Sequence, residues 1–360
     1  MRVPVVLLCG VDPDAMASSM VGLQFDLPAA VACRHTIDVE RGVLTRTVSD
    51  LSGVIETHET LLEHACVSCA IREDIVPTLE RLARDGRWQS IVAHLPVSAE
   101  PAHLCSVLSW DTRLARFLRV SSVVTAVDAR RAVRDLLGDD LLAERGRHCS
   151  HDDRRGVGEV LAAMVEYADV VALDGGADQV DPPATGLVAA LARPGVPLVA
   201  GVHDLDGPAL VTGRHEHTRT DAWTSPVRTD PLPDLGTEGV WRLDLQSTCA
   251  FDPERLLESL EQLGAGAHRS RGCFWLPTRP DRALEWDGAG GQLSIGDHGA
   301  WGRRTPFTRI VVTGVGAAPA HLRPAFDRLL AAGTDAAGSH GAALGEDGFE
   351  PWLGPIRDVA

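Results

Sequence analysis

Two cysteines separated by two residues are the clearest candidate for chemistry in this chain. Cys66 and Cys69 lie in the segment HACVSCAIRED, and His64 stands two residues before the pair. The turn between two such cysteines can bring both thiolates to one side, where they bind a single metal ion. The sequence has no second Cys-x-x-Cys pair, so a closed four-cysteine zinc site is not expected. We expect a mixed site completed by His64, a carboxylate or a distant thiol, an open arrangement that suits metal exchange.

Two other interpretations of the cysteine pair stay open on the residues alone. A redox pair of thioredoxin type lies at the start of a helix. Here a helix is expected to begin with Asp74 as its cap, five residues after Cys69, which disfavours a redox role. In the third interpretation, the two cysteines lie near a strand end and have no role.

A second group of candidate metal ligands lies in residues 203–237, which are rich in Asp, Thr, Pro and Gly. This composition predicts an exposed linker. It contains His215 and His217, which we expect to act as an auxiliary capture site for a divalent ion. The segment HCSHDD at 148–153 is also expected to be exposed and could capture a divalent ion in the same way.

The turn after the first apolar run corresponds in place to the phosphate loop of nucleotide-binding proteins. That loop has the pattern G-x-x-x-x-G-K-[ST], in which backbone N–H groups and the lysine hold phosphates and the hydroxyl binds Mg²⁺. The corresponding positions here are Gly10, Ala15, Met16, Ala17 and, one residue late, Ser18. Only Gly10 matches, and Asp12 and Asp14 add negative charge where phosphates would lie. We therefore predict a degenerate phosphate-loop position that does not favour GTP or Mg²⁺, and we assign no catalytic residue.

The composition excludes several classes of function. The chain has 360 residues, 34 basic and 50 acidic, for a net charge of −16, and every basic residue is Arg because the sequence has no Lys. It has no Asn either, so lysine Schiff-base chemistry, a phosphate-loop lysine and an Asn-Lys-x-Asp guanine motif are excluded. The acidic charge argues against nucleic-acid and anionic-membrane partners. No stretch approaches the length of a membrane span, and the eight scattered cysteines predict a cytoplasmic protein with reduced thiols.

The elements that must position these residues alternate between strands and helices as far as residue 202. Apolar runs predict buried strands at 3–9, 91–93, 120–127, 170–173 and 196–202, and helical patterns follow Asp74 and cover 128–137 and 156–167. This alternation predicts a mostly parallel sheet with helices on both faces in a domain of residues 1–202. Beyond the linker, residues 238–360 predict a smaller α+β domain with an antiparallel sheet.

The order of several motifs resembles the CobW-type P-loop GTPases, relatives of the nickel-insertion GTPases UreG and HypB. The segment ACVSCAIR at 65–72 is similar to the family's Gly-Cys-x-Cys-Cys-x-x-Arg motif, with Ser68 in place of the middle cysteine. FDPERL at 251–256, RGCFWL at 271–276, RPD at 279–281 and the Trp and Gly positions of 286–291 resemble the family's C-terminal domain. The resemblance implies a P-loop NTPase-like domain followed by a CobW C-terminal domain.

The resemblance also implies a function in delivering metals, zinc especially, with GTP hydrolysis coupled to metal transfer. By it, Cys66 and Cys69 are the metal ligands and Ser68 is not. Other nucleotide positions of the family are altered: His94 and Val97 replace an acidic residue and a glycine, and Asp174 and Gly175 replace the Asn and Lys of the guanine motif.

We therefore expect a zinc-handling, metallochaperone-like protein with a degenerate nucleotide site. One alternative is an active nucleotide hydrolase whose phosphate site is rebuilt around Arg72, coupling turnover to metal delivery. Another is a scaffold that recruits a client protein. The client metalloprotein is not identified by the sequence, and a homo-oligomer is compatible with it.

Overall fold

The computed structural model describes residues 2–62, 66–175, 181–331 and 347–356. The chain divides into two compact units. The first comprises Met1–Asp135 and Asp140–Trp223, and the second comprises Leu136–Asp139 and Thr224–Ala360. No helix in the described ranges is both long and apolar enough to cross a bilayer.

The first unit is built on an eight-stranded mixed sheet. Its strands are β1 (Val3–Gly10), β2 (Ala30–Asp38), β3 (Val43–Asp50), β4 (Gly53–Leu61), β5 (Ser90–His94), β6 (Leu118–Asp128), β7 (Val170–Asp174) and β8 (Leu198–Ala200). They lie in the order β4-β3-β2-β5-β1-β6-β7-β8. All neighbours from β2 to β8 are parallel, whereas β3 and β4 extend the sheet as antiparallel strands. The carboxyl ends of the parallel strands therefore meet at one edge, where α/β proteins place their sites.

Helices cover both faces of this sheet. They are α1 (Pro13–Asp26), α2 (Val67–Ala70), α3 (Val76–Asp85), α4 (Pro101–Trp110), α5 (Ala132–Leu137), α6 (Val157–Tyr167), α7 (Pro182–Leu191), α8 (Gly207–Thr212) and α9 (His217–Thr224). A π-helical turn, Ile71–Ile75, joins α2 to α3 in one helical run. On one face, α1 packs Met16 and Leu23 against Val6, Leu8 and Val92 of the central strands. On the other, Thr125 of β6 donates a hydrogen bond to the backbone of α6.

The second unit contains a five-stranded antiparallel sheet. Its strands are β9 (Val240–Ser247), β10 (His268–Phe274), β11 (Arg282–Ala289), β12 (Gln292–Ala300) and β13 (Thr308–Val315), in the order β12-β11-β10-β13-β9. The helices are α10 (Pro253–Gly264), α11 (Leu322–Leu329) and α12 (Glu350–Leu353). Phe251, Phe274, Trp286 and Phe326 form the centre of its core, so the aromatic residues of the C-terminal motifs are structural.

The predicted fold class is confirmed, and the differences lie in particular segments. Every predicted strand is present, and residues 30–61, for which no element was predicted, form β2, β3 and β4. The expected helix start at Asp74 is wrong, since the helical run begins at Val67 and Asp74 lies inside it. Residues 203–237 differ from an exposed linker, because α8 and α9 occupy much of this range.

Candidate functional site

The cysteine pair lies on the first turn of the helical run α2–α3. Cys66 is the N-cap residue, and its Sγ accepts the backbone N–H of Cys69 at 3.4 Å. Residues three apart lie on the same side of a helix, so both side chains belong to one helix end. The partial positive charge of a helix N-terminus stabilises thiolates. Cys66 is half-buried and Cys69 is buried, which leaves one sulfur of the pair accessible to solvent.

Arg72 lies beside the cysteines, one turn further along the helix. Its Nη2 is 3.8 Å from the Sγ of Cys69 and 2.9 Å from a carboxylate oxygen of Glu73. The guanidinium therefore adds positive charge next to a thiol that must lose its proton to bind a metal. This placement associates Arg72 with the thiols rather than with a rebuilt phosphate site.

The third metal ligand stays a prediction. His64 lies outside the described residues. Within the described ranges, no group of three or more His, Cys, Asp or Glu side chains is arranged to hold a metal ion. The structure places the two cysteines at one helix end, and their role as metal ligands together with His64 stays a prediction.

The position of the helix no longer disfavours a redox role for the cysteine pair, because the helix does not start at Asp74. The pair does lie at a helix N-terminus, as a thiol-disulfide pair of thioredoxin type would. Position alone therefore does not separate redox chemistry from metal binding.

A buried ion-pair network holds this helix against the sheet. Asp74 is 5% exposed; its Oδ1 is 2.9 Å from the Nε2 of His35 on β2, and its Oδ2 pairs with Arg46 on β3. Thr78 donates a further bond to Asp74. Burial raises the pKa of Asp74, but the hydrogen bonds from His35 and Arg46 outweigh it and hold this pKa well below its usual value. Sequence reasoning missed this network because it used Asp74 as a helix cap.

The turn after β1 does not form a phosphate loop. Only Val11 and Asp12 separate Gly10 from the first residue of α1, Pro13. The Oδ1 of Asp12 accepts the N–H groups of Asp14 and Ala15 at 3.1 and 3.0 Å. Its Oδ2 pairs with the Nη2 of Arg147 at 2.8 Å. A carboxylate of the chain itself therefore takes the helix amides that a phosphate loop offers to its ligand.

The remaining residues of the predicted phosphate-loop position are spread over α1. Ala15 and Met16 are buried in the core, and a Cβ added at Gly10 would lie 3.0 Å from the Cγ of Met16. Ala17 and Ser18 are half-buried and line a cavity of about 850 Å³ on the side of the helix. The phosphates of GTP and a Mg²⁺ ion do not fit this arrangement, and we derive no step through them.

His94, at the acidic position of the family motif, is a buried neutral imidazole. It ends β5 and is 1% exposed. Burial, with the charge of Arg34, lowers the pKa of His94 to about 4. A neutral imidazole cannot supply the negative charge that a Mg²⁺ site requires. Asp174 ends β7 and is half-buried, while the residues that follow Gly175 lie outside the described ranges.

The two linker histidines lie side by side, but not in an exposed loop. His215 is 4% exposed, and its Nδ1 is 2.8 Å from the Oδ2 of Asp169. The His217 ring meets it edge-on with 4.6 Å between centroids, and the Nε2 of His217 pairs with the hydroxyl of Ser109. The expected exposure of this segment is wrong for His215 because an ion-pair partner and α9 bury it. An auxiliary metal site at these two histidines stays a prediction.

Comparisons with known proteins agree with this architecture. The CobW/HypB/UreG nucleotide-binding domain matches residues 37–184, and the cobalamin synthesis protein cobW C-terminal domain matches residues 240–330. A Mycobacterium tuberculosis protein named a zinc chaperone is 31% identical over 316 residues, 84% of this chain and 74% of the relative. A Dictyostelium discoideum protein named zinc-regulated GTPase metalloprotein activator 1 is 21% identical over 71% of this chain and 56% of its own length.

Among solved structures, the Zn(II)-bound YjiA GTPase of E. coli is 17% identical and covers 92% of this chain and 100% of its own, with a TM-score of 0.37. Both domain descriptions match in the order of the chain, and the mycobacterial relative aligns with most of it. The chain therefore belongs to the CobW family.

Proposed function

We propose that this chain is a cytoplasmic zinc-handling protein that takes up and passes on Zn²⁺ at Cys66 and Cys69, without nucleotide turnover. The observation that carries the proposal is the placement of both cysteines on one helix turn, with Arg72 beside them. Two family relatives support zinc as the metal, since one is named a zinc chaperone and the other a zinc-regulated activator. Thiolates also suit zinc better than Mg²⁺ or Ca²⁺.

The site suits transfer better than permanent storage. Two protein sulfurs leave coordination positions of a tetrahedral Zn²⁺ for His64 and for a ligand from outside the chain. Because Cys66 is half-buried, an incoming ligand can reach the metal from its side. Binding releases the thiol protons, and a client metalloprotein with more ligands then removes the ion by ligand exchange. We expect no nucleic acid among the partners of so acidic a chain.

Nucleotide independence follows from the Asp12–Arg147 pair. The helix amides are already bonded to Asp12, and no lysine exists in the chain to hold phosphates. Electrostatic positioning by such groups supplies most of the catalysis in nucleotide hydrolysis. The competing proposal, a GTP or ATP hydrolase that drives metal delivery, requires a phosphate site, and at the corresponding turn the amides of Asp14 and Ala15 are already bonded to Asp12.

A zinc titration against a chromophoric chelator tests the metal site. We expect one Zn²⁺ per chain in the reduced protein and a loss of affinity of at least 100-fold in the Cys66→Ser, Cys69→Ser double variant. Cys249→Ser is the matched control, since Cys249 is also half-buried but lies in the second unit. Unchanged affinity in the double variant would show that the site is elsewhere.

Two further measurements address the third ligand and the nucleotide. His64→Gln should weaken zinc binding by roughly 10-fold if His64 completes the site. Labelled GTP and ATP with Mg²⁺ should show no binding up to about 1 mM, equivalent to about −4 kcal/mol. Saturable nucleotide binding that changes zinc affinity would favour the hydrolase.

A further inference from the structure

The two edge strands of the eight-stranded sheet differ in how they are protected. An exposed edge strand can pair with another chain, and proteins prevent this by shortening the strand, covering it, or placing Lys or Pro in it. At one edge, β8 is short, with three half-buried residues. At the other edge, β4 has nine residues and contains neither Lys nor Pro. Among the described residues, the backbone of β4 is hydrogen-bonded to β3 alone.

β4 is also open on both faces. Seven of its nine residues are exposed, and the other two, Glu56 and Thr60, are half-buried. Glu56 accepts a hydrogen bond from Arg46 of β3 at 3.1 Å, and Thr60 lies 3.4 Å from a carboxylate oxygen of Asp74. Contacts to the rest of the unit are thus confined to these two side chains and the β3 ladder, and the outer edge of β4 is accessible to a second strand.

Exposed apolar side chains are concentrated at this edge. Val54, Ile55 and Leu61 are 67%, 42% and 76% exposed, and Leu51 in the preceding turn is 50% exposed. These four are among only ten large apolar side chains that are exposed in the described parts of the chain. A cluster of this kind marks a surface that another protein covers.

The order of side chains along β4 favours a second copy of this chain as the partner. When two identical antiparallel strands pair about a two-fold axis, one residue lies opposite its own copy. The register shift against β3 leaves Ile55 in a bulge, so the regular part of the strand is 56–61. An axis at Glu56 or at Glu59 would place two carboxylates opposite each other, which destabilises the pair.

An axis at His58 gives the longest regular overlap without this conflict. The overlap then covers residues 56–60, whereas an axis at Thr57 covers only 56–58. Glu56 lies opposite Thr60 of the second copy, and Thr57 lies opposite Glu59 of the second copy. Each carboxylate therefore faces a hydroxyl donor, and no two carboxylates face each other.

The same register also brings apolar side chains together. Leu61 lies opposite the bulged Ile55 of the second copy, and the symmetry repeats this contact at the other end of the overlap. Both side chains are exposed in the single chain, so the contact removes apolar surface from water.

We propose that two copies of this chain pair through β4 in an antiparallel, two-fold symmetric arrangement centred on His58, which joins their sheets into one. Cys66 and Cys69 lie outside β4, so this dimer does not depend on a bound metal ion. It therefore stands independently of the proposed zinc function.

Sedimentation velocity of the reduced protein in the presence of EDTA, which prevents metal from bridging two copies, tests the proposal. Over about 1–200 μM we expect a reversible monomer–dimer equilibrium with a Kd of roughly micromolar size, as for a small interface. His58→Asp places two carboxylates opposite each other, and Leu61→Asp places a charge at the apolar contact. Each should raise the Kd by about 10-fold or more. Both residues are exposed, and circular dichroism should show that the variants fold.

Trp110→Asp is the matched control. Trp110 is 84% exposed, but it lies in α4, which packs against β6 rather than β4. This variant should dimerise as the unaltered chain does. Zinc stoichiometry of monomeric His58→Asp should equal that of the unaltered chain, which separates a failure of the dimer from a failure of the zinc proposal.

His58→Cys tests the position of the axis. Opposite residues of an antiparallel pair have Cα atoms about 4.5–5.5 Å apart, within the range of a disulfide. Oxidation with diamide should therefore link two copies through position 58, as read by peptide mass spectrometry, whereas Trp110→Cys should form no such link. The proposal is overturned by a protein that stays monomeric at every concentration, by a dimer that His58→Asp and Leu61→Asp leave unchanged, or by the absence of the link at position 58.

Discussion

Two carboxylates of the first unit, Asp12 and Asp74, bind donor groups of the chain itself. Asp12 accepts the amides at the start of α1 and pairs with Arg147, so the place of a bound phosphate is filled by the chain itself. Asp74 is bonded to His35 and Arg46 and fixes the helix that carries the cysteines. Each of these carboxylates is paired with other groups, and a charged carboxylate can be buried only when it has such partners.

Asp74→Asn should destabilise the first unit. Loss of the charge leaves His35 and Arg46 with weaker partners, and we expect the free energy of unfolding to fall by about 3 kcal/mol at pH 7 in urea titrations. The pKa of Asp74 is lowered on folding, so its stabilising effect is complete above the ordinary value of 3.8 and is lost as the pH falls further. The difference between the two proteins should therefore shrink only below about pH 4. A difference that disappears already at pH 6 would contradict this assignment.

His215 gives a second test at the scale of one side chain. Its bond to Asp169 and its burial against Tyr167 predict that His215→Ala loses about 2 kcal/mol of stability. His203→Ala is the control, since His203 lies in the same segment but is exposed. Thermal unfolding and zinc stoichiometry should be measured together. A second zinc ion that only the His215 variant loses would support the auxiliary metal site.

At the scale of elements, the strands with continuous apolar runs were predictable, whereas β2, β3 and β4 were not. β1 and β5 to β8 appear in the sequence as apolar runs, but β3 and β4 alternate polar residues such as Arg46 and Glu56. Those polar residues pair with each other and with α3, so tertiary contacts rather than local hydrophobicity stabilise these strands.

The helix that carries the cysteine pair shows why its start was mispredicted. Asp is a common N-cap and Pro77 fits a first turn, so the local signals favoured a start at Asp74. In the structure the sulfur of Cys66 caps the helix, and Asp74 lies in a π-helical turn inside the helical run. The cysteine pair was identified as a candidate from its spacing alone, whereas its position on a helix could not be predicted without the contacts of Asp74.

Restoring the phosphate-loop residues should not restore nucleotide binding. Met16 is fully buried within α1, so Met16→Lys with Ala17→Ser would place an ammonium group in the core. We expect a loss of about 3 kcal/mol or more in stability and no gain in GTP affinity, because Asp12 still holds the helix amides. Ala17→Ser alone is the control, since Ala17 lies at the helix surface. Measurable GTP binding by the double variant would show that the loop can reform.

At the scale of the whole molecule, two independent cores leave few thiols accessible. Of the eight cysteines, only Cys66 and Cys249 are half-buried, one in each unit. Burial raises the pKa of Cys9, Cys33, Cys149 and Cys273 to about 12 and raises that of Cys105 as well. Since the thiolate is the reactive form, these five should be inert while the chain is folded.

Alkylation of the native, reduced protein therefore distinguishes the proposed site from every other thiol. We expect iodoacetamide at about pH 7.5 to modify Cys66 first, because Cys66 is accessible and lies at a helix N-terminus. Cys249 should react more slowly, and the five thiols whose pKa burial raises should react only after unfolding in urea. Stoichiometric Zn²⁺ should protect Cys66 and leave Cys249 unchanged, as read by peptide mass spectrometry. If Zn²⁺ protects Cys249 instead, or protects neither cysteine, the metal site does not lie at Cys66 in the first unit. A disulfide between Cys66 and Cys69 in the untreated protein would favour redox chemistry at the same helix end.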